Sequence, residues 1–313
     1  MNVLSLFHGI SAGQVALQRA GIPVENYYAS EIDKYAIKIT QTNYPNTIQL
    51  GDVTQNGDWD LPKIDLLIGG SPCQGFSFAG KQLNFDDPRS ALFFEFVRCK
   101  QWFEPEYFLL ENVKMKREYQ DVISKYIGVE PIEINSSLVS AQNRKRLYWT
   151  NIPCITQPKD KNILLEGVLE HDAQEPMLSN IYGGFNEKQP RIHTSKSVTI
   201  RAASGGGHIP SVTLKGVIKN RDKLYERNEK AMRIDANYHK GADNHGQRTL
   251  ITSANKDNYR KLTPLECERL QTFPEQYTNY VSNTQRYRAL GNSWTIDVIA
   301  HIFNFMKLQE LLK

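Results

Sequence analysis

The chain has few cysteines and no long apolar run, and both shortages exclude classes of protein. Its four cysteines are scattered and form no Cys-x-x-Cys pair, so a zinc site has little support, and we expect free thiols and no metal. No apolar run approaches the roughly 20 residues that a membrane span needs. The N-terminal stretch MNVLSLFHG lacks the basic region that opens a secretory signal, so we expect a cytoplasmic protein.

The sequence also lacks internal repeats, and its charge is unevenly distributed. The 313 residues carry a net charge of only +4. The segment 171–261, however, holds 16 Lys and Arg against 9 Asp and Glu, together with five of the seven histidines. A basic block of this kind favours a polyanion as partner, although an unevenly charged, solvated surface explains the same count.

The first 150 residues alternate between apolar, β-rich runs and amphipathic helical runs. The predicted strands are 2–6, 26–32, 47–53, 64–68 and 107–111, and the predicted helices are 14–20, 34–42 and 91–103. This order predicts an α/β fold with a mostly parallel, doubly wound sheet, which binds ligands at the carboxyl ends of its strands. After about Leu165, glycine-rich stretches and short strands predict a smaller, loop-rich domain. We expect a catalytic and cofactor-binding domain at 1–165 plus 286–313 and a small domain at 166–285.

Three successive strand ends offer groups that bind an adenosine. The first ends in FHGISAGQ, where Gly9 and Gly13 let backbone amides approach a ligand. Glu31 ends the second strand, 22 residues after Gly9, a spacing at which a carboxylate commonly binds ribose hydroxyls. Asp52 ends the third strand. The pattern is not GxGxxG, which disfavours NAD, and ordinary tight turns with surface acids are the alternative.

The fourth and fifth strand ends carry a thiol and a carboxyl. In GGSPCQGFSFAG, Cys73 lies at the polar exit of an apolar run, whereas a buried structural cysteine belongs inside one. A nucleophilic cysteine needs such partial exposure. Glu111 ends the fifth strand in LLENV, where it can act as a general acid. These strands are neighbours in one common doubly wound order, so Cys73 and Glu111 can face one substrate. An inert loop cysteine and a locally paired carboxylate are the alternatives.

Polar side chains alternate in the stretch QNRKR. Gln142, Arg144 and Arg146 are two residues apart, so on one strand they point to the same face. Two guanidiniums on one face suit a phosphate or a carbonyl oxygen. A charged edge strand is the alternative.

Taken together, these stretches resemble the DNA cytosine-5 methyltransferase family over nearly the whole chain. FHGISAG, SEID and GDV resemble its first three motifs, GSPCQGFS its catalytic loop, and LFFEFVR and ENV its fifth and sixth motifs. QNRKR matches its QxRxR pattern, and RKLTPLECERLQTFP and ALGNSW resemble its ninth and tenth motifs. Several stretches are also similar to the vertebrate de novo methyltransferases and to compact phage or bacterial enzymes. The chain departs from the family pattern in the first loop, where His8 stands at a position at which a small or acidic residue is common and Ser11 and Ala12 replace glycines. It also departs at Trp294, which replaces a small apolar residue.

The resemblance implies S-adenosylmethionine as methyl donor and cytosine in DNA as acceptor. It implies Cys73 as the nucleophile that attacks C6 and Glu111 as the group that protonates N3. Arg144 and Arg146 would hold the ring oxygen and a nearby phosphate, and the cytosine must be flipped out of the duplex to react. The residues implied for the cofactor are Phe7, Gly9, Ile10, Gly13, Glu31, Ile32, Asp52, Val53, Pro72, Leu92, Asn292 and Ser293.

The basic block then becomes the target-recognition region, with Lys and Arg on phosphates and a few side chains on bases. The candidate DNA contacts are Gln74, Ser77, Asn112, Gln142, Gln247, Arg248 and Thr249. We expect a restriction-modification role or a phage or orphan modification role, with double-stranded DNA as partner, association with the nucleoid through DNA, and a separately acting restriction endonuclease as a further candidate partner. A monomer is expected, with a dimer as the alternative. The alternative functions are a tRNA-directed cytosine-5 methyltransferase and a catalytically silent DNA-binding homologue.

Overall fold

The computed structural model describes residues 1–72, 88–170, 176–179, 197–198, 211–214, 250–252 and 259–310. Six predicted site residues lie outside the described residues: Cys73, Gln74, Ser77, Gln247, Arg248 and Thr249. The chain divides into two compact units. The first comprises Met1–Ile134, Lys145–Gln157 and Val298–Lys313, and the second Asn135–Arg144 and Pro158–Asp297. The domain boundaries predicted from the sequence stay a prediction.

A seven-stranded, mostly parallel sheet forms the first unit. Its strands in chain order are β1 (Asn2–Leu6), β2 (Asn26–Ser30), β3 (Ile48–Gln49), β4 (Leu66–Gly69), β5 (Tyr107–Val113), β6 (Ile132–Asn135) and β8 (Lys145–Thr150). The spatial order is β3-β2-β1-β4-β5-β8-β6. The pairings from β3 through β5 are parallel, and β8 runs antiparallel to β5. The predicted α/β class is confirmed, and β4 and β5 are neighbours as expected.

Four helices of the first unit connect these strands. They are α1 (Ala12–Ala20), α2 (Lys34–Asn43), α3 (Pro88–Phe103) and α4 (Arg117–Ile127). The Asp33 carboxylate caps α2 by accepting hydrogen bonds from the Tyr35 and Ala36 amides. Strands β1, β4 and β5 are nearly continuous apolar runs because helices cover such parallel sheets on both faces. The core accordingly includes fully buried side chains such as Leu4, Leu67, Phe96 and Trp149.

The second unit is built from short elements. It contains β7 (Gln142–Asn143), β9 (Pro176–Ser179), β10 (Ser197–Val198), β11 (Ser211–Leu214), β12 (Leu250–Thr252), β13 (Tyr259–Lys261), α5 (Pro264–Leu270) and α6 (Asn283–Asn292). The last helix, α7 (Ile296–Glu310), begins here and continues into the first unit. Thr263 and Glu266 form a reciprocal capping box at α5, with Pro264 at its first position. No helix in the described ranges is long and apolar enough to cross a membrane.

Candidate active site

The turn between β1 and α1 is held in an unusual backbone conformation. Phe7, Gly9 and Ser11 have φ angles of 54°, 63° and 68°, a left-handed region that only glycine adopts without penalty. The His8 amide donates a hydrogen bond to the Ser30 carbonyl at the end of β2. This predicted cofactor loop is therefore tied to the carboxyl edge of the sheet, where ligands of doubly wound folds bind.

Backbone amides fix the orientation of the Glu31 carboxylate. Its Oε2 accepts a hydrogen bond from the Gly9 amide at 2.7 Å, and its Oε1 accepts from the Ile32 and Asp33 amides at 2.9 and 2.8 Å. A carboxylate has about four acceptor positions, so one remains for a hydroxyl donor such as a ribose. The first loop and Glu31 are thus brought together as the sequence predicts.

Apolar surface and open space lie beside this carboxylate. The Ile32 side chain is 75% exposed and Phe7 is half-buried. A methyl group built on Gly9 or on Gly51 would have nothing within 4 Å. An exposed apolar side chain, a fixed carboxylate and free space suit the base and the ribose of an adenosine, so the residues present fit S-adenosylmethionine.

The other predicted cofactor residues of the first unit differ in exposure. Asp52 Oδ1 accepts a hydrogen bond from the Thr54 amide at 2.9 Å, which caps the 3-10 helix Val53–Asp58. Gly13 has no room for a side chain, because a Cβ there would come within 2.7 Å of Tyr27 Oη. Ile10 and Val53 are buried, whereas Pro72 and Leu92 are half-buried. Their contacts with a cofactor stay predictions.

Glu111 and Arg146 form a buried ion pair across β5 and β8. The distance between Arg146 Nε and Glu111 Oε1 is 2.8 Å, and each side chain is 10% exposed. In the strand register Arg146 is opposite Val113 and Glu111 is opposite Tyr148, so the guanidinium reaches along the neighbouring strand to the carboxylate. A planar guanidinium held in this way fixes the orientation of the carboxyl group.

Asn112 connects the end of β5 to the segment that follows β4. Its Nδ2 donates to Ser71 Oγ at 3.2 Å and to the Ser71 carbonyl at 3.4 Å, and its Oδ1 accepts from the Val113 amide. Asn112 is 1% exposed. Its amide thus holds the backbone two residues before Cys73, and the predicted contact of Asn112 with DNA stays a prediction.

The QNRKR stretch is not the single strand that the sequence predicts. Gln142 lies in β7, Arg146 lies in β8, and Arg144 lies between the two strands. The strand breaks there because β7 pairs with β10 in the second unit, whereas β8 pairs with β5 in the first. The stretch is therefore interrupted at Arg144, and the expectation that the three side chains share one face stays a prediction.

Within the second unit, Gln142 and Arg144 are buried and hydrogen-bonded. Arg144 Nη2 donates to the Ser293 carbonyl at 2.9 Å. Gln142 is 0% exposed, and its Nε2 donates to the Leu270 carbonyl and to Gln271 Oε1. Its predicted contact with DNA stays a prediction. Ser293, a predicted cofactor residue, is buried and Asn292 is exposed.

Sequence reasoning assigned no role to Gln271, which links these groups. Its Nε2 donates to the Leu290 and Ser293 carbonyls at 2.7 and 3.2 Å, and its Oε1 accepts from Thr295 Oγ1 at 2.9 Å. The Ser293 carbonyl therefore accepts from both Gln271 and Arg144. The only signal in the sequence was the position of Gln271 inside RKLTPLECERLQTFP, which marks a segment without distinguishing this residue.

A protein-family model and several curated proteins match nearly the whole chain. The model of the family described as C-5 cytosine-specific DNA methylase matches residues 1–127 and 134–308. The type II methyltransferase M1.ScrFI of Lactococcus lactis subsp. cremoris is 31% identical, over 99% of this chain and 78% of its own length. The type II methyltransferase M.NlaX of Neisseria lactamica is 31% identical, over 97% of this chain and 96% of its own length.

Solved structures share the fold. The Entamoeba histolytica methyltransferase EhMeth aligns with a TM-score of 0.66 and 17% identity, over 100% of this chain and 99% of its own. A DNMT2 variant from Spodoptera frugiperda aligns with a TM-score of 0.61 and 20% identity, over 98% of this chain and 99% of its own. At these identities the two structures show a common fold and no more.

Proposed function

The chain belongs to the C-5 cytosine-specific DNA methylase family, and we propose that it methylates C5 of a flipped cytosine in a specific duplex DNA sequence through a covalent bond between Cys73 and C6. Enzymes of this family use S-adenosylmethionine as the methyl donor. The observation that carries the proposal is the family match over residues 1–127 and 134–308, which includes all four predicted catalytic residues.

The chemical difficulty is that C5 of cytosine is a poor nucleophile. Addition of the Cys73 thiolate to C6 forms a carbon–sulfur bond and makes C5 enamine-like, which divides one difficult step into easier ones. C5 would then form its bond to the methyl carbon as the bond between that carbon and the donor's sulfonium sulfur breaks, which would leave S-adenosylhomocysteine. Removal of the C5 proton by a base restores the C5–C6 double bond and releases the Cys73 thiolate.

Glu111 and Arg146 supply the polar groups for this addition. Protonation of N3 by the Glu111 carboxyl neutralises the charge that develops on the ring as sulfur adds, and this proton returns when the thiolate leaves. The 2.8 Å contact with Arg146 Nε aims the carboxyl group. Arg144 and Arg146 are proposed to hold the ring oxygen and a nearby phosphate, which guanidinium groups suit.

The loop after β1 and the ends of β2 and β3 are proposed to hold the cofactor. Glu31 would bind the ribose hydroxyls, Phe7 and Ile32 would contact the adenine faces, and Asp52 would reach the adenine amino group. Bound S-adenosylmethionine supplies an electrophilic methyl group on its sulfonium. The exposed Ile32 and the three amides that fix Glu31 support this arrangement.

The basic segment 171–261 is proposed to bind the DNA duplex. Its excess of Lys and Arg would contact phosphates, so that affinity falls steeply with salt concentration. The same proposal includes a restriction-modification role, with a separate restriction endonuclease as partner. It also includes a monomeric enzyme that lies in the cytoplasm and associates with the nucleoid through DNA. The names of the curated relatives, which are type II methyltransferases, support the first of these.

Replacing the thiol tests the covalent step. Cys73→Ser should abolish transfer of a labelled methyl group from S-adenosylmethionine to duplex DNA while cofactor binding persists. Cys154→Ser, at a free and exposed cysteine, is the matched control and should retain activity. Full activity of Cys73→Ser would disprove the nucleophile assignment.

Acceptor competition and adduct trapping separate the alternatives. Duplex DNA and tRNA offered together should show methylation of the DNA alone. In the presence of S-adenosylmethionine, duplex DNA that contains 5-fluorocytosine should form a stable adduct with the protein, because fluorine replaces the C5 hydrogen whose removal as a proton would release the thiolate. DNA binding without an adduct would favour a silent homologue. Bisulfite sequencing of a plasmid that carries the gene would then identify the target sequence.

A further inference from the structure

Two departures of this chain from the family pattern contact each other in the first loop. His8 Nε2 lies 2.8 Å from Ser11 Oγ, and both residues are buried, at 7% and 0% exposure. The resemblance placed His8 where a small or acidic residue is common and Ser11 where a glycine is common. The two departures are therefore joined by a buried hydrogen bond.

These two residues belong to a chain of hydrogen bonds in which each group donates to the next. Thr40 Oγ1 of α2 lies 3.4 Å from the Gly9 carbonyl and 2.9 Å from Ser11 Oγ. The carbonyl can only accept, so the Thr40 hydroxyl donates to it and the Ser11 hydroxyl donates to Thr40. Ser11 Oγ must then accept from an Nε2–H group of His8.

The other ring nitrogen of His8 closes the chain on β1. His8 Nδ1 lies 3.0 Å from Ser5 Oγ. In a neutral imidazole that donates through Nε2, Nδ1 accepts, so the Ser5 hydroxyl donates to it. Burial lowers the pKa of His8 to about 3, in agreement with a neutral ring. The donors thus run from Ser5 through His8, Ser11 and Thr40 to the Gly9 carbonyl.

The hydrogen-bond chain includes Ser11, whose backbone is strained, and it ends next to Glu31, the carboxylate proposed to bind the cofactor. Ser11 has a φ of 68°, which costs a residue with a Cβ free energy that glycine would not lose. Two side-chain hydrogen bonds, to His8 and Thr40, offset this strain. The Gly9 carbonyl accepts the last hydrogen bond of this chain. The backbone amide of the same residue donates to Glu31 Oε2 at 2.7 Å.

We propose that His8 is a positioning residue for the S-adenosylmethionine site, a neutral Nε2–H donor that holds Ser11 in its left-handed conformation and so fixes the Gly9 backbone that orients Glu31. The proposal rests on the proposed function of the site. It explains how this chain builds the loop with a histidine and a serine instead of small residues and glycine. It predicts that the two side chains are energetically coupled in cofactor binding.

A double-mutant cycle read by calorimetry tests this coupling, with S-adenosylhomocysteine as the titrant and no DNA. His8→Ala leaves Ser11 strained and its oxygen without a donor, and should weaken binding about tenfold. Ser11→Gly should change binding less than about threefold, because glycine adopts the turn unaided. The double variant should bind within about threefold of Ser11→Gly. The proposal would be overturned if the fold-losses in affinity of the two single variants multiplied in the double variant, or if His8→Ala bound S-adenosylhomocysteine as tightly as the wild type.

Two further measurements separate a positioning role from a structural one. Ser124→Ala removes another buried hydrogen bond of the first unit, from Trp149 Nε1 at 3.0 Å, and should lower the melting temperature without changing affinity for S-adenosylhomocysteine. Nitrogen NMR of the wild-type histidines should show His8 neutral and protonated on Nε2 at pH 7. A His8 ring that is cationic or protonated only on Nδ1 would contradict the direction of the hydrogen-bond chain, even if a variant failed to fold.

The same titration distinguishes this proposal from the proposed function. A wild-type protein that does not bind S-adenosylhomocysteine would count against the function itself and would remove the role of His8 with it. If the wild type binds S-adenosylhomocysteine but the affinity losses of the two single variants are independent, the role of His8 alone is overturned. The proposal of methyl transfer, which is tested through Cys73, is then unaffected.

Discussion

The Arg146 guanidinium lies against the Glu111 carboxylate, with 2.8 Å between Nε and Oε1 and each side chain only 10% exposed. The two residues are 35 positions apart in the sequence and meet because β8 runs antiparallel to β5. The pairing joins the family's ENV and QxRxR motifs within one unit. A carboxyl group aimed by a guanidinium can deliver a proton to one position of a bound base.

Replacing Glu111 by glutamine should impair chemistry far more than cofactor binding. Glu111→Gln keeps the shape and loses the transferable proton, so kcat should fall at least about a hundredfold, while affinity for S-adenosylhomocysteine stays unchanged. Labelled methyl transfer and calorimetry measure the two quantities. Glu133→Gln makes the same change at an acid paired with Lys114 at 2.8 Å and should retain activity. A Glu111→Gln enzyme with more than half of the wild-type rate would remove Glu111 from the mechanism.

The buried pair of Glu268 and Arg286 should dominate the stability of the second unit. Glu268 is 0% exposed and accepts from the Gln276 and Thr278 amides, from Thr278 Oγ1 and from Arg286 Nη2. Glu268→Gln leaves a buried guanidinium without its counter-charge, so the free energy of unfolding should fall by about 3 kcal/mol or more. Urea denaturation measures this loss.

Glu275→Gln is the control for that experiment. Glu275 also pairs with an arginine, Arg269, at 2.6 Å, but its side chain is 58% exposed. Solvent screens such a pair, so the change should cost less than about 1 kcal/mol. Equal losses in Glu268→Gln and Glu275→Gln would show that burial does not decide the strength of the first pair.

Gln271 should be needed for stability although it lies outside every predicted site. Gln271→Leu would remove the acceptor of the buried Thr295 hydroxyl, which would keep only its donor Ser136. It would also remove the side-chain donor to the Leu290 carbonyl, which would keep the Ser293 amide. An unsatisfied buried group costs about 1–3 kcal/mol, which urea denaturation would detect. Gln101→Leu, at an exposed position of α3, should have little effect. An unchanged unfolding curve for Gln271→Leu would contradict the role assigned to this network.

Acid should destabilise the protein partly through His8. Burial lowers its pKa from 6.5 to about 3 in the folded state. Below about pH 6.5 the unfolded chain therefore binds a proton that the folded chain does not, and the free energy of unfolding falls as the pH drops toward 3. In His8→Gln no imidazole is present at this position to take up a proton on unfolding. The free energy of unfolding of this variant should therefore fall less steeply than that of the wild type between about pH 7 and pH 5.

Chemical denaturation at several pH values measures these slopes. His301→Gln is the control, because His301 is only partly buried and bonds the Thr156 carbonyl through Nε2 at 2.7 Å. A shallower slope in His8→Gln than in His301→Gln would assign the difference to His8. Parallel slopes for wild type and His8→Gln would show that His8 binds protons equally in both states.

Local pattern was sufficient for most elements of the first unit. Strand β1 has the predicted bounds, and α2 begins at the predicted Lys34, because an apolar run and an Asp33 cap are signals within a few residues. The third strand is shorter than predicted, at Ile48–Gln49 rather than 47–53. There the Asp52 side chain caps a 3-10 turn, a local competition that an apolar pattern does not reveal.

By itself, the sequence determined the family, because a cysteine, an acid and arginines in motif order are properties of residue type and spacing. Only the tertiary structure decided which side chains meet. It paired Glu111 with Arg146, bonded His8 to Ser11 and Thr40, and separated Arg144 from the strand of Arg146. Such contacts depend on strand register and on helix packing, which are set by burial throughout the fold rather than by neighbours in the sequence.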